Sequence, residues 1–406
     1  MDTQRKPLEG VKVIELANYV AAPVIGRMCA DMGAEVIKIE GRGGDAWRVT
    51  SANHTKTEFD ENPLFDLFNV GKKSISLNMK AEEGKEIFFR LLGDADILIT
   101  NTRQQSLVKL GVDYDSIKER FPRLIYTTIT GYGYEGPDCN APGFDNIAFW
   151  SRPGFSADMT IDAQGSYPVN SRYAMGDTIS GTTLFGAVMA ALYQREKTGK
   201  GEFVTMSLFG AGIWNFGGSI VMAEKPYEHR YPEIRNMGIA MNLAYKCADG
   251  EWVRCTIFEF ERYAEKFFGA IGVTEEMQQL GIATLEIMMD KAEEIVPIYE
   301  KAFLKKTSEQ WLRIFADLDI VCGRLNHFKD VLEDEQAWAN GYLQKYHCTN
   351  GAERILTTCP VRFASQGAFP LGAPVMYGAS NREVMAKLGY SEQQIDAMFE
   401  NGTLGK

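Results

Sequence analysis

A carboxylate that could act as a nucleophile lies at the predicted start of a long helix. Asp177 opens a helical pattern that continues through Arg195, and Gly176 precedes it. The free N–H groups and dipole of a helix N-terminus lower a carboxylate's pKa and keep it in the ionised form that attacks carbonyl carbons. A neighbouring glycine leaves room for a substrate carbonyl and for backbone donors to its oxyanion. Spacing alone, however, favours an ordinary helix-capping aspartate.

A glycine-rich stretch at residues 131–136 satisfies the pattern G-x-G-x-x-G after a predicted strand. In dinucleotide-binding folds these glycines lead into a helix whose N-terminus receives a pyrophosphate. Here Pro137 follows directly and turn-forming residues continue to Gly143, so the pattern predicts a loop instead. Such a loop can direct backbone N–H groups at developing negative charge, or it can be a surface turn without a ligand. Spacing leaves both alternatives open.

Metal and disulfide chemistry have little support in the sequence. The histidines His54, His229, His327 and His347 are far apart and form no H-x-x-x-H pair, so we expect no metal site. The seven cysteines form no C-x-x-C pair, and their odd number argues against a disulfide framework. We therefore expect reduced thiols.

The charge balance limits the possible partners. The chain has 43 Lys and Arg against 54 Asp and Glu, which gives a net charge of −11. This field repels polyphosphates, so we do not expect nucleic acid as a partner. No apolar segment follows the basic residues of the first ten positions, and no apolar run reaches about 18 residues. We predict a cytoplasmic protein that does not enter a membrane.

The predicted elements that position Asp177 are alternating strands and helices, as in repeated βαβ units. Buried apolar runs alternate with amphipathic segments, a pattern typical of a parallel sheet with helices on both faces. The predicted fold class is therefore α/β. The predicted strands are residues 11–16, 35–39, 73–77, 97–100, 124–129 and 203–206.

The length of 406 residues exceeds the usual size of a single core. We predict a large domain at residues 1–225, where a charged segment without clear periodicity begins. A smaller α+β domain follows at residues 226–328. A C-terminal segment, residues 329–406, is expected to return to the large domain.

Several motifs, taken together, resemble CoA-transferase family III, the CaiB/BaiF-like enzymes. They are V-I-E-L at 13–16, G-A-E-V-I-K-I-E at 33–40, K-K-S-I at 72–75, T-G-Y-G at 130–133 and G-D at 176–177. They occur in the family's order, and the likeness extends to K-L-G-Y-S at 387–391. The resemblance thus covers nearly the whole chain.

The resemblance implies an interlocked, ring-like homodimer in which each chain has a large, Rossmann-like CoA-binding domain and a smaller domain. It implies that Asp177 attacks an acyl-CoA to form a mixed anhydride, becomes an aspartyl-CoA thioester, and passes CoA to a free acid through a second anhydride. The substrates would be acyl-CoA and small carboxylic acids. No tightly bound cofactor, metal or ATP would be needed.

Positions that match the family's CoA-contacting segments would supply local positive charge to this acidic protein. Lys80 and Lys109 would contact the phosphates or the adenine side, although Lys109 stands where relatives often carry an arginine and so loses planar stacking. Gly143 and Phe144 match a segment along the CoA arm. For Arg42 a solvated surface position is an open alternative. The implied CoA contacts are Arg42, Leu77, Lys80, Asn101, Arg103, Lys109, Gly143 and Phe144.

The substrate side is expected to be apolar. Some family members carry glutamine where this chain has Val20, and its loss puts oxalate- or formate-type chemistry in doubt. Val20 and Ala21 predict a wall that favours a bulkier aliphatic or aromatic acyl group. The sequence is similar to the branch that handles (R)-2-hydroxy acids such as 2-hydroxyisocaproate and phenyllactate with matching enoyl-CoA donors. The expected substrate contacts are Val20, Ala21, Gly131, Tyr132 and Gly176.

Two alternatives remain at this stage. The α-methylacyl-CoA racemases resemble this fold but move an α-proton with the histidine of a G-H-D segment. In this chain the segment is Gly143-Phe144-Asp145, and phenylalanine cannot exchange protons. The second alternative is a non-enzymatic CoA-binding protein in which Asp177 only caps its helix.

Overall fold

The computed structural model describes residues 5–159, 168–169, 173–231, 233, 235–236 and 238–405. Within it the chain forms two compact units. The first unit combines the chain up to Ala157 with Val169–His229 and with the residues from Glu335 onward. The second unit is built around Arg230–Asp334.

A six-stranded parallel sheet forms the centre of the first unit, which confirms the predicted α/β class. The strands are β1 Lys12–Leu16, β2 Glu35–Glu40, β3 Lys73–Ser76, β4 Ile97–Thr100, β5 Ile125–Thr130 and β6 Phe203–Ser207. Their order is β3-β2-β1-β4-β5-β6, and all neighbouring strands run parallel.

Helices connect these strands. A π-helical segment, Asp145–Ser151, follows the loop after β5. The α-helices of this part are α1 Ala21–Asp31, α2 Ala46–Thr55, α3 Pro63–Asp66, α4 Glu82–Leu92, α5 Gln104–Leu110, α6 Tyr114–Ile117, α7 Phe155–Asp158, α8 Met175–Thr198, α9 Leu208–Asn215 and α10 Gly217–Met222.

The second unit contains a three-stranded antiparallel sheet in the order β7-β8-β9, and its described helices pack around an aromatic core. Phe267, Tyr299, Phe303 and Phe315 are fully buried there. The elements are β7 Ala244–Lys246, β8 Trp252–Cys255, α11 Phe260–Ile271, α12 Thr274–Gln279, α13 Leu285–Asp290, α14 Ala292–Phe303, α15 Ser308–Asp317, β9 Cys322–Arg324 and α16 Phe328–Val331, preceded by a 3₁₀ turn at Ala240–Asn242.

The C-terminal part of the chain returns to the first unit. Asn381 accepts a hydrogen bond from the backbone N–H of Ser76 through Oδ1 at 2.8 Å, and Leu404 forms an antiparallel bridge with Leu77. The elements are α17 Glu335–Ala339, β10 Leu343–His347, β11 Glu353–Thr357, β12 Arg362–Phe363, β13 Gly367–Ala368, α18 Asn381–Lys387 and α19 Glu392–Glu400.

Both faces of the parallel sheet are covered, which explains its continuous apolar strands. Val13 and Ile97 contribute to a core shared with α1 and α8, whereas Ile14 and Leu98 contribute to a core shared with α4, α18 and α19. Helix α8 lies very close to α1, because a Cβ added to Gly181 would come within 2.5 Å of a backbone oxygen of α1. In the described part of the chain, no helix combines the length and apolar character needed to cross a membrane.

Candidate active site

A cavity of about 320 Å³ opens at the carboxyl edge of the parallel sheet. Its lining comes mainly from the loops that follow β1, β4 and β5 and from the first turns of α8 and α9. The strand order reverses between β1 and β4, and ligands of open α/β sheets bind in the crevice at such a reversal. The topology alone therefore favours this edge as a ligand site.

The loop after β1 is held in place from two sides. Asn101, just after β4, accepts from the backbone N–H of Asn18 at 3.0 Å and donates to its carbonyl oxygen at 2.6 Å. The N-cap residue of α2, Asp45, accepts from the backbone N–H of Tyr19 at 2.9 Å. Tyr19 has φ of 62°, in the left-handed region that costs a non-glycine residue energy. These hydrogen bonds fix the strained residue at the cavity wall.

A fully buried cluster of charges lies beneath this loop. The Nζ atom of Lys38 is 3.0 Å from Oε1 of Glu15 and 2.8 Å from Oδ2 of Asp45, and the Nζ atom of Lys72 is 2.8 Å from Oε2 of Glu15. Burial alone would lower the pKa of Lys38, but Asp45 and Glu15 outweigh it and raise that pKa. The cluster anchors Asp45, which in turn holds Tyr19.

Asp177 lies in the first turn of α8, with its side chain partly exposed to the cavity. The helix is capped by Ala174, which has a left-handed φ of 58°, so Asp177 is the third helical residue and not the N-cap. The backbone N–H of Asp177 donates to Oδ1 of Asp145 at 3.1 Å. The helix-cap alternative for Asp177 is therefore wrong, and its carboxylate is available to a ligand.

The expected direction of the pKa shift of Asp177 is also wrong. Burial, followed by the negative charge of Asp145, raises the pKa of Asp177 to about 8. The dipole of α8 favours the ionised form, but among the described residues no cation contributes to this pKa. The site therefore holds its carboxyl group in a state that resists ionisation.

Gly176 has a different structural role from the expected one. A Cβ at this position would lie 2.1 Å from Oδ1 of Asp145 and 2.5 Å from the ring of Phe149. The missing side chain thus makes room for these two residues, and Gly176 does not line the cavity. A direct contact between Gly176 and substrate stays a prediction.

The glycine-rich loop closes against its own continuation. A Cβ on Gly131 would lie 2.8 Å from the Cα atom of Gly143, and one on Gly143 would lie 2.7 Å from the Cα atom of Gly131. Both positions therefore require glycine, and both line the cavity. Tyr132 follows Gly131, and its ring packs against the guanidinium of Arg152, with the Cζ atom 4.7 Å from the ring centroid.

An aromatic pair marks one side of the cavity. The rings of Tyr19 and Phe144 meet edge to face, with centroids 5.3 Å apart. Phe144 is nevertheless 58% exposed, so a ligand in the cavity could cover much of its ring. Such a surface favours apolar ligand groups.

The structure brings together several of the residues predicted from the sequence. Asp177 lines the cavity with six of the predicted CoA-binding or substrate-binding residues, namely Ala21, Asn101, Arg103, Gly131, Gly143 and Phe144. Arg103 is exposed and is the basic residue among those that line it.

Other predicted contacts lie outside this cavity. Lys80 and Lys109 are exposed, and Leu77 is buried beside Leu404. Arg42 lines a second cavity of about 410 Å³, formed with C-terminal residues that include Tyr377. Contacts of these residues with CoA stay predictions.

Val20 is only 1% exposed and packs in the core below the cavity. The loop after β1 reaches the cavity through Asn18, Tyr19 and Ala21 instead. A substrate contact of Val20 stays a prediction.

Asp45 and Asp145 are site residues that were not predicted from the sequence. Both are buried carboxylates, with 0% and 5% exposure. The sequence did contain a signal for Asp145, because this charged residue directly precedes a mostly apolar segment. A charge beside buried apolar residues needs a structural or chemical reason. The described residues contain no group of three or more His, Cys, Asp or Glu that could hold a metal ion.

Comparison with known proteins identifies the family of this chain. Residues 8–381 match the model of CoA-transferase family III. The chain is 37% identical over 391 residues to the (R)-2-hydroxy-4-methylpentanoate CoA-transferase of Clostridioides difficile, covering 96% of this chain and 97% of the relative. It is 38% identical over 402 residues to the cinnamoyl-CoA:phenyllactate CoA-transferase of Clostridium sporogenes, covering 98% and 97%.

A solved structure shares the fold. The crystal structure of a CAIB/BAIF family protein from Brucella suis superimposes with a TM-score of 0.78 at 26% identity, covering 95% of this chain and all of that one. The family match, the two relatives and the parallel-sheet cavity with its carboxylate lead to one assignment: the chain belongs to CoA-transferase family III and is a CoA-transferase.

Proposed function

We propose that this enzyme moves CoA from an acyl-CoA, either an enoyl-CoA or a 2-hydroxyacyl-CoA, to a free (R)-2-hydroxy acid such as 2-hydroxyisocaproate or phenyllactate. The observation that carries the proposal is a partly buried carboxylate, Asp177, that opens into an aromatic-walled cavity at the strand-order reversal. The names of two relatives at 37% and 38% identity support the class of acid.

The proposed chemistry begins at Asp177. One carboxylate oxygen attacks the thioester carbonyl, the carbon–sulfur bond breaks, and CoA leaves as a thiolate, which gives a mixed anhydride. The thiolate then attacks the carbonyl carbon of Asp177 and releases the donor acid as a carboxylate. An aspartyl-CoA thioester remains, and the energy of the first thioester is conserved.

The acceptor acid reverses this sequence. Its carboxylate attacks the aspartyl thioester, forms a second mixed anhydride and displaces the CoA thiolate. The thiolate attacks the acyl carbon of the acceptor, and Asp177 returns to a free carboxylate as the new acyl-CoA leaves. No net proton or electron is required, so Asp177 is the group that must change its bonding.

The apolar part of the acyl group would lie against Tyr19 and Phe144. Their rings present hydrocarbon surface at the cavity, which favours branched or aromatic side chains over oxalate or formate. Ala21 lines the same cavity. We propose that this surface, with Gly131, replaces the apolar wall expected at Val20.

The nucleotide end of CoA needs positive charge. Arg103 and Asn101 line the cavity, which supports the proposal that the guanidinium of Arg103 binds a CoA phosphate. We propose that Lys80, Lys109, Arg42 and Leu77 extend this binding surface, while Gly143 and Phe144 contact the CoA arm.

Several wider features belong to the same proposal. We propose that the enzyme works as an interlocked homodimer in the cytoplasm. We also propose that residues 1–225 act as the CoA-binding domain, with a small domain at 226–328 and a returning segment at 329–406.

The test is a transfer assay with trapping. Purified enzyme is incubated with isocaproyl-CoA or cinnamoyl-CoA and a panel of free acids, with hydroxylamine in parallel, and mass spectrometry reads both products and enzyme. We expect 2-hydroxyacyl-CoA, and a donor-dependent hydroxamate on Asp177.

Two variants sharpen this assay. Asp177→Ala should lose transfer and trapping, whereas the matched control Asp60→Ala, at an exposed position of the same unit, should keep both. Faster transfer to oxalate than to 2-hydroxyisocaproate would contradict the proposed acid. Exchange of the α-proton without any transfer would instead favour the racemase reaction.

A further inference from the structure

Two carboxylates lie side by side in this site. Asp145 is 5% exposed, begins the π-helical segment, and accepts the backbone N–H of Asp177 at 3.1 Å. Its Oδ2 atom is buried, and the neutral donors near its carboxylate, the side chain of Trp150 and the backbone N–H groups of Asp177 and Gly176, lower its pKa by less than burial raises it. No cation among the described residues contributes to the pKa of either carboxyl group. A buried carboxylate left without a counter-charge is costly, so its presence needs a reason.

We propose that Asp145 is a positioning residue whose buried negative charge, held against the first turn of α8, shifts Asp177 from the free carboxylate toward its acylated forms. The inference rests on the proposed function, because it concerns the covalent forms of Asp177. It adds a role for a second residue that does not itself react.

The negative charge of Asp177 leaves the site during the proposed reaction. In the free enzyme an ionised Asp177 is repelled by Asp145 at close range in a poorly solvated site. Attack on the acyl-CoA moves the negative charge from Asp177 to the CoA thiolate, and release of the donor acid carries that charge out of the site. In the aspartyl-CoA thioester Asp177 is neutral, so the repulsion is gone. Asp145 therefore destabilises the starting state more than the covalent intermediate.

The shifts in pKa agree with this account. Burial raises the pKa of Asp145 to about 6, whereas burial and Asp145 together raise the pKa of Asp177 to about 8. Near neutral pH the pair therefore favours one negative charge over two. A carboxylate with a raised pKa is also the stronger nucleophile once it is ionised.

The surroundings contain few other groups that could produce the effect. Of the elements packed against α8, the segment Asp145–Ser151 presents Asp145 and α9 has no ionisable side chain. Helix α1 carries Arg27 and Asp31, which pair with each other at 2.8 Å, and Cys29, whose thiol pKa is raised to about 12 by burial. Of the strands packed against α8, β5 contributes Tyr126, which is buried in the core on the opposite face of the sheet, and β6 has no ionisable side chain. The cavity itself adds Tyr19, Arg103, Tyr134 and Cys139.

The geometry also explains Gly176. A methyl group there would overlap Oδ1 of Asp145, so the glycine allows Asp145 to approach the helix. Asp145→Asn keeps the size of the side chain and an oxygen that can accept from Asp177, but removes the charge. This variant therefore separates charge from packing.

The experiment compares the wild type with Asp145→Asn in two measurements. The first is the pH profile of the single-turnover rate with isocaproyl-CoA, and the second is the ratio of aspartyl-CoA thioester to free enzyme, read by intact mass at a pH above 8. We expect the midpoint of the pH–rate profile of Asp145→Asn to lie about one pH unit or more below that of the wild type. We also expect its ratio of aspartyl-CoA thioester to free enzyme to be lower by about tenfold or more. Asp145→Ser, also neutral, should change both in the same direction.

The outcomes separate the inference from the proposed function. If the wild type forms no covalent adduct at Asp177, the proposed function fails and this inference with it. If the wild type forms the adduct and both neutral variants show unchanged profiles and ratios, the inference alone is overturned. Asp60→Asn, which removes an exposed charge in the same unit, is the matched control and should leave both measurements unchanged.

Discussion

Replacing Asp177 with asparagine should stabilise the folded protein, and the gain should grow with pH. Asparagine has nearly the same shape as a protonated aspartate but never ionises. In the folded protein, burial and Asp145 raise the pKa of Asp177 from 3.8 to about 8. Unfolded chains ionise aspartate near pH 4. Between these two values the unfolded state carries the charge and the folded state keeps the proton.

The sign and size follow from proton linkage. A carboxyl group whose pKa is raised by folding contributes its full stability below the unfolded pKa, and loses it as the pH approaches the folded pKa. Each pH unit within the window changes the free energy of unfolding by about 1.4 kcal/mol, so about three units give up to about 4 kcal/mol. Asp177 is partly exposed, so solvent screening reduces this penalty. We expect the advantage of Asp177→Asn to grow by about 2 kcal/mol between about pH 5 and pH 8.

The measurement is urea unfolding at a series of pH values, read by tryptophan fluorescence, for the wild type, Asp177→Asn and the exposed control Asp60→Asn. The control should show a small difference that does not depend on pH. If the difference between Asp177→Asn and the wild type is also constant from about pH 5 to pH 8, the raised pKa is wrong. If Asp177→Asn instead loses stability relative to the wild type as the pH rises, the predicted sign of the effect is wrong.

Three further substitutions test other parts of the site. Gly131→Ala places a Cβ atom 2.8 Å from the Cα atom of Gly143, so it should lower the free energy of unfolding in urea by about 1–3 kcal/mol and abolish most of the transfer activity. The control Gly186→Ala, in open space on α8, should raise the free energy of unfolding by up to about 1 kcal/mol. Lys38→Met leaves buried acidic groups without a full counter-charge and should lower the free energy of unfolding by about 3–5 kcal/mol; an unchanged unfolding midpoint would contradict the structural role of the cluster. Arg103→Ala should raise KM for acyl-CoA about tenfold with kcat little changed, and a fall in kcat alone would argue against a phosphate contact.

Local sequence signals were sufficient for the elements of the sheet but not for their order. Runs such as residues 97–100 are apolar because both faces of the sheet are covered, and the predicted strand matches Ile97–Thr100. The neighbours of β1, however, are β2 and β4, and nothing in the residues of β1 encodes a partner more than 80 positions away. Likewise the charges Glu15 and Lys38 lie inside predicted strands, and only the folded sheet shows that they pair.

The candidate nucleophile could be predicted, but its electrostatics could not. The position of Asp177 at a helix start, after a glycine, was compatible with a nucleophile but favoured an ordinary helix cap, and the resemblance to the family motif reversed that preference. Its pKa depends on Asp145, which is 32 residues earlier in the chain, and on burial that no local pattern measures. Local patterns also could not show that Val20, directly before α1, is buried in the core while Tyr19 and Ala21 line the cavity, and a substrate contact of Val20 stays a prediction.

The division of the first unit between distant parts of the chain has a consequence for biosynthesis. Ser76 in β3 bonds to Asn381, and α18 and α19 cover one face of the sheet, so these contacts form only after about 300 further residues have left the ribosome. The second unit, by contrast, consists of Asp158–Pro168 and Arg230–Asp334, so all of its residues have been synthesised before the C-terminal part of the first unit. During translation one apolar face of the parallel sheet is therefore covered by α4 but not yet by α18 and α19. This interval is when the nascent chain should depend most on chaperones, and when shortening the C-terminal helices should cause aggregation.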